Sequence, residues 1–183
     1  KIVDWRDRRT CVLVGDAAGA AVLRPVGPEE GVLSFHLGAD GSGADLLKLP
    51  AGGSRLPTSR ETVERGLHYL SMNGREVFKF AVVTMGEAAE RALQACGLTF
   101  ADVDWYVPHQ ANLRIIDASA RRFGLPREKV IVNVDRYGNT SAASIPIALW
   151  EAVRDGRIRR DDVVLLVAFG GGLTWGAAVV RWY

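Results

Sequence analysis

From Asn73 onward the sequence alternates segments of helical period with short apolar runs, and only a layered sheet with crossover helices accommodates that alternation. "NGREVFKFAVVTMGEAAERALQAC" (73–96) brings Val77, Phe80, Ala81, Thr84, Ala88, Ala92 and Ala95 near one helical face, with Gly97 placed to end it. "DVDWYVP" (102–108) predicts a buried strand. "NLRIIDASARRF" (112–123) predicts a helix with Leu113, Ile116, Ala120 and Phe123 inward and Gly124 past its end. "KVIVNV" (129–134) predicts a strand and "SAASIPIALWEAVRDG" (141–156) a helix. "DVVLLVAFGGGLTWGAAVVRW" (162–182) predicts two strands joined by a glycine turn. The fold class is α/β.

Upstream, strands are predicted at "TCVLVG" (10–15), "AAVLRPV" (20–26) and "GVLSFHLGAD" (31–40), and a helix at "ETVERGLHYL" (61–70). A surface loop is predicted at 49–59, where proline and glycine gather. "VLVGDAAGAAVL" and "LLVAFGGGLTWGAAVV" share "GAAV" and the order strand, glycine turn, strand, which arises either by chance or from a duplicated half-fold. An apolar content of 48% supports a sizeable core, and a net charge of +2 argues against nucleic acid as a partner. Two cysteines, Cys11 and Cys96, make neither a disulfide framework nor a zinc set. Reduced thiols, and the lack of a secretory leader or a run long enough to cross a bilayer, give the expectation of a cytoplasmic protein with no membrane partner. The chain opens on "KIVDWRDRRT" without methionine, which gives the expectation of a fragment.

Three polar or glycine-rich loops each follow an apolar run: "PHQAN", "DRYGNTSAAS" and "FGGGLTWG". In an open α/β sheet such strand ends line the ligand crevice, so His109, Asn139 and the backbone of Gly170–Gly172 are expected to converge. Taken singly, each has a plainer role: a hydrogen-bonded core histidine, a turn or cap asparagine, a hairpin turn. As a pair, His109 and Asn139 are two neutral donors, the chemistry of an oxyanion site for an enolate or tetrahedral centre. No metal ligand set accompanies them. His36 and His68 are assigned no role beyond structure.

"MNGREVFKFAV", "VPHQANLRII", "GNTSAASIPIAL" and "AFGGGLTWG", with "TCVLVGDAAGAAVL", resemble β-ketoacyl-[acyl-carrier-protein] synthase III, a family that initiates fatty-acid synthesis; it more often has glycine where Ala17 stands. The resemblance covers essentially the whole chain. It implies a thiolase-like αβαβα layered sandwich of two pseudo-duplicated halves. Residues 1–48 would be the last strands of the first half, 49–73 a connecting segment and 74–183 the second half. It implies a Cys–His–Asn triad in which His109 and Asn139 are catalytic. The nucleophile is not matched: Cys11 sits in a predicted strand, and Cys96 ends a helix whose dipole opposes a thiolate. The cysteine is therefore expected upstream of Lys1, and the segment alone is expected to be inactive.

By the same resemblance Arg8 lies at the adenine end of coenzyme A, Gly74, Phe78, Ala111, Asn112 and Phe169 line the pantetheine tunnel, and Gly171 offers a backbone donor beside the thioester. Phe78 and Phe169 could equally be core, and Arg8 a surface ion pair. The stretch Gln110, Ala111, Asn112, Leu113 and Arg114 matches the family's carrier-binding stretch; Arg114, on a face shared with Arg121 and beside Arg122, would meet the acidic acyl carrier protein. The implied substrates are acyl-CoA and malonyl-ACP, with no further cofactor, and a homodimer is expected. A starter-unit ketosynthase of polyketide assembly and a non-catalytic truncated module remain alternatives.

Overall fold

The computed structural model describes residues 1–183. In chain order the elements are α1 (Arg8–Cys11), β1 (Gly31–Ala39), β2 (Leu47–Lys48), α2 (Arg60–Glu64), β3 (Ser71–Met72), α3 (Gly74–Ala95) and β4 (Trp105–Pro108). There follow α4 (Leu113–Phe123), α5 (Val134–Tyr137), α6 (Ser144–Arg154), β5 (Val163–Gly170) and β6 (Thr174–Arg181). Four strands form one sheet in the order β1-β6-β5-β4, in which β4 and β5 are parallel and β1·β6 and β6·β5 antiparallel.

Period-two alternation in β5 divides the core. Val163, Leu165 and Val167 face the larger cluster, built on α3 and α4 with Met85, Leu93, Ile116 and Phe123. Val164 faces the smaller cluster, with Ile131 and Ala148 and Ala152 of α6. The layers within this chain are thus helices, sheet, helix. Four alanines of α3 (Ala81, Ala88, Ala89, Ala92) are fully buried and let that helix lie close to the sheet. Burying each large side chain, such as Leu93 or Ile116, contributes roughly 1.5–3 kcal/mol. α3 is capped by Asn73, whose side chain accepts the Glu76 N–H, and α4 ends at Gly124 in the left-handed conformation. On α4 the inward residues are Ile115, Ile116, Ser119, Ala120 and Phe123; Leu113, expected inward, is 45% exposed because it opens the helix's first turn. On α3 Ala95 is likewise exposed and Leu93 takes the buried place.

Several expected strands have another form. "TCVLVG" begins as the short helix α1, capped by the Asp7 side chain, and Val14 makes only an isolated parallel bridge to Asn139. Residues 20–26 have no regular structure, and Val22 and Leu23 stand almost fully exposed: no strand of this chain runs beside them. "KVIVNV" touches the sheet at a single bridge, Val130 to Tyr106, and passes at once into α5. α2 stops at Glu64, two residues before Gly66 takes a positive φ. The boundary drawn at residue 48 is crossed by the sheet itself. β1 pairs with β6 from Gly31–Arg181 to Ala39–Thr174, so this strand completes the sheet of the C-terminal half and does not belong with the segment before it. The segment 49–73 carries α2 and closes a two-stranded ladder, Leu47 to Met72.

Candidate functional site

The parallel pairing of β4 with β5 settles which loops share an end of the sheet. Pro108 lies opposite Val167, so His109 leaves β4 at the same edge where Phe169 and Gly170 end β5. The His109 N–H continues the ladder by donating to the Val167 carbonyl at 2.8 Å. Its ring stands edge-on to Phe169, 5.6 Å between centroids, and lines a cleft of about 350 Å³. Leu37 of β1, Ser141, Ser144, Ile145, Trp175 and Gly176 complete the wall with Phe169 and Gly170. His109 is the only ionisable group on that wall. Burial away from water holds its pKa down at about 4, so the imidazole is neutral at pH 7. Nδ1 is 2.6 Å from the Ser144 hydroxyl, and Nε2 has no partner within the protein. What the cleft presents is a neutral, desolvated imidazole with one ring nitrogen uncommitted.

Gln110 has a different task from the one expected. It is fully buried. Its Nε2 donates to the carbonyls of Pro108 (2.9 Å) and Ile131 (3.1 Å), and its Oε1 accepts the N–H groups of Asn133 (2.9 Å) and Val134 (3.2 Å). Every hydrogen-bonding position of the amide is used. Gln110 therefore ties the end of β4 to the segment that leads into the Asn139 loop, and it cannot contact a carrier protein. Ala111 is also buried, and Asn112 gives its Oδ1 to the Ile115 N–H as the cap of α4. Of the proposed carrier stretch, Leu113 and Arg114 reach the surface. Arg114 and Arg121 make no salt bridge, whereas Arg122 lies across α3 where Gly86 leaves it room; a Cβ there would stand 2.3 Å from Arg122 Nε. Arg122, also exposed, leans over α3 beside the row of Arg114 and Arg121.

Asn139 is held by its backbone. Its N–H donates to the Leu13 carbonyl at 2.7 Å and its carbonyl accepts the Gly15 N–H at 2.8 Å. Its Oδ1 accepts the Ser141 N–H at 2.9 Å, and Nδ2 has no protein partner. No hydrogen bond joins Asn139 to His109, and Asn139 does not line the cleft, although Ser141, two residues on, does. The loop behind it is set by Glu151, itself buried, which accepts from Asn133 Nδ2, Arg136 and the Tyr137 hydroxyl, each at 2.8 Å. Burial works to raise the Glu151 carboxyl, but these three donors outweigh it and hold the group below the usual carboxylate range.

The remaining expected residues do not gather at this cleft. Gly74 lies on a second, larger cavity of about 820 Å³ with Met72, Asn73, Tyr69 and Asp7. Phe78 is 37% exposed on α3, Arg8 is exposed on α1, and Gly171 packs against the Leu47 carbonyl, where a Cβ would approach to 2.8 Å. Neither Cys11 nor Cys96 lines the cleft. No cluster of three or more His, Cys, Asp or Glu side chains is arranged to hold a metal ion. Leu37 and Trp175 were not legible in the sequence, since nothing in β1 or β6 marks which alternate faces the cleft. Nothing in the sequence distinguishes Ser144 from Ser141 in the same run.

The model of the 3-oxoacyl-[acyl-carrier-protein] synthase III C-terminal domain matches residues 93–182, and that of the 3-oxoacyl-[acyl-carrier-protein] synthase III domain matches residues 1–41. The chain belongs to the 3-oxoacyl-[acyl-carrier-protein] synthase III family. A beta-ketoacyl-[acyl-carrier-protein] synthase III of Symbiobacterium thermophilum is 61% identical over 182 residues, covering all of this chain and 55% of the relative. The crystal structure of a beta-ketoacyl-[acyl carrier protein] synthase III from Thermus thermophilus is 58% identical, with a TM-score of 0.90, and is matched by all of this chain over 56% of its own. A priming beta-ketosynthase from the R1128 polyketide biosynthetic pathway is more distant, at 34% identity and a TM-score of 0.79 over 99% of this chain and 53% of its own. The α/β fold is that of these thiolase-like synthases, and the chain spans about half the length of the relatives it matches. It corresponds to the C-terminal portion of the synthase III family.

Proposed function

We propose that the full-length protein catalyses the decarboxylating condensation of a short acyl-CoA with malonyl-ACP to give 3-oxoacyl-ACP, the first elongation of fatty-acid synthesis. The observation that carries this reading is the neutral, buried His109 with an uncommitted ring nitrogen on a cleft that holds no other ionisable group. A cysteine contributed by residues outside this chain would take the acyl group from coenzyme A, releasing the free thiol. Malonyl-ACP would then lose CO2, and the electron pair left on its α-carbon would delocalise onto the thioester oxygen. A neutral donor stabilises that oxyanion without first surrendering a charge to a counter-ion, and desolvation strengthens the interaction. The α-carbon would attack the acyl thioester and expel the cysteine thiolate. Asn139 is the second donor in this scheme; its Nδ2 has no protein partner, Ser141 two residues on lines the cleft, and Asn139 must turn toward the cleft to share the oxygen.

Coenzyme A and acyl carrier protein are the partners this reading requires, and a cytoplasmic homodimer comes with it; sedimentation of the full-length protein checks the dimer. Malonyl-ACP decarboxylation, followed separately from condensation, tests the function. His109→Ala should lower the decarboxylation kcat by about 10²–10³, the usual cost of an oxyanion donor, and Asn139→Ala should do the same. Transfer of the acyl group to the cysteine should survive both changes. If decarboxylation continued at the wild-type rate in His109→Ala, the function stated here would be abandoned.

A further inference from the structure

We propose that Ser144 is a positioning residue that fixes His109 as the Nε2–H tautomer, so that the nitrogen facing the cleft is a hydrogen-bond donor. The role rests on the function proposed above but is argued from the hydroxyl's own partners. A serine hydroxyl has one proton and two lone pairs. One lone pair of Ser144 Oγ takes the Gln110 backbone N–H at 3.3 Å. The other partner within reach is His109 Nδ1, at 2.6 Å. No carbonyl stands where it could accept the hydroxyl proton, and Ser144 is buried, with 2% of its surface exposed. A buried hydroxyl proton without an acceptor forfeits a hydrogen bond, so the proton points at Nδ1. Nδ1 is then the acceptor, and the imidazole proton sits on Nε2.

The opposite tautomer fails on the same count. With the proton on Nδ1, Ser144 Oγ would receive two N–H groups while its own proton faced nothing, and the cleft would be offered a bare lone pair. Gln110 cannot relieve this, because its side chain is already saturated by Pro108, Ile131, Asn133 and Val134. Geometry enforces the arrangement from two sides. The Gln110 N–H lies two residues past β4, and Ser144 opens α6, so the serine closes a bridge between the segment that carries the histidine out of β4 and the helix that walls the cleft.

The test uses full-length protein with 15N-labelled histidine. Long-range proton–nitrogen correlation spectra at pH 7 should show His109 with an unprotonated Nδ1 and a protonated Nε2. In Ser144→Ala the two tautomers should mix, and the kcat of malonyl-ACP decarboxylation should fall by about 10-fold with KM little changed, a fraction of what outright loss of an oxyanion donor costs. Ser144→Thr restores the hydroxyl and should recover both the single tautomer and most of kcat. Ser144→Cys fills the space with a poor donor and should recover neither. A wild-type spectrum with the proton on Nδ1 overturns the inference, as does an unchanged tautomer in Ser144→Ala or a Cys variant indistinguishable from wild type. Should the alanine variant not fold, the wild-type spectrum and the Thr–Cys pair still decide. If wild-type protein does not decarboxylate malonyl-ACP, the proposed function falls while the spectra continue to judge Ser144.

Discussion

His109 is a histidine whose surroundings reverse its ordinary solution behaviour. The usual pKa near 6.5 is lowered to about 4, and loss of water around the ring is the cause, since no charged group shares the cleft. Two consequences follow in opposite states of the chain. In the folded protein the ring therefore remains neutral through the mildly acidic range, until pH falls toward 4. In the unfolded chain the ring takes up a proton near its ordinary pKa. Because the unfolded state binds the proton first, this histidine's contribution to stability is complete above about pH 6.5 and is lost progressively as pH drops from there to about 4. Between pH 7 and pH 5 the loss from this one group should be about 2 kcal/mol. Urea unfolding of wild type and His109→Gln at the two pH values checks it: the wild-type curve should move by more than the variant's. A direct NMR titration of His109 giving an ordinary midpoint would remove both expectations.

At the level of elements, the segment 10–15 shows how a strand-like composition can serve as a strut. Its backbone bonds are spent on the Asn139 loop, through Asn139 N–H to Leu13 and Gly15 N–H to Asn139, and not on a sheet. Gly15 is required there because a Cβ would come within 2.1 Å of the Tyr137 carbonyl. Gly15→Ala must push the strut and the loop apart, at roughly 1–3 kcal/mol, the usual cost of overpacking. Exchange of the Asn139 amide proton should speed up, and decarboxylation should fall with it. This contact also marks where sequence reasoning stops. Helices α3 and α4 and the β5–β6 hairpin were legible because their period records one continuous face against one core. The expected convergence of His109, Asn139 and Gly170–Gly172 was legible only in part: parallel strands bring His109 to Gly170, while Asn139, Gly171 and Gly172 do not line the cleft. "TCVLVG" and "KVIVNV" were not legible, since β-branched runs report burial and leave the choice of backbone partner open. Gln110 misled for a related reason: a polar residue in a motif looks like a contact residue until its neighbours are seen to saturate it. Ser144 was invisible because its value lies in two bonds to residues more than thirty positions away.

On the scale of the whole molecule, the surface arginines divide into committed and uncommitted charge. Arg127 is paired with Asp117, Arg136 with Glu151 and Arg160 with Glu30. Arg114, one residue into α4 and five after His109, has no such partner. Exposed ion pairs add little stability, so removing a free arginine should leave the fold intact. An unpaired cation near the entrance to an acidic partner's docking path instead raises the rate of encounter, and the effect fades as salt screens it. Arg114→Glu should therefore raise the KM for malonyl-ACP by about 10-fold at low ionic strength, with kcat for decarboxylation within about 2-fold of wild type and Tm unchanged. On the proposed function, the same change should leave acyl transfer from coenzyme A untouched, because that step would not involve the carrier. Adding salt should narrow the gap between wild type and variant. Arg122→Glu is the control that separates charge from packing. Its side chain lies against Gly86 of α3, so its replacement should lower Tm while affecting the carrier's KM less than Arg114→Glu does. Equal KM effects from the two would place the carrier across the α3–α4 crossing and not at the opening turn of α4.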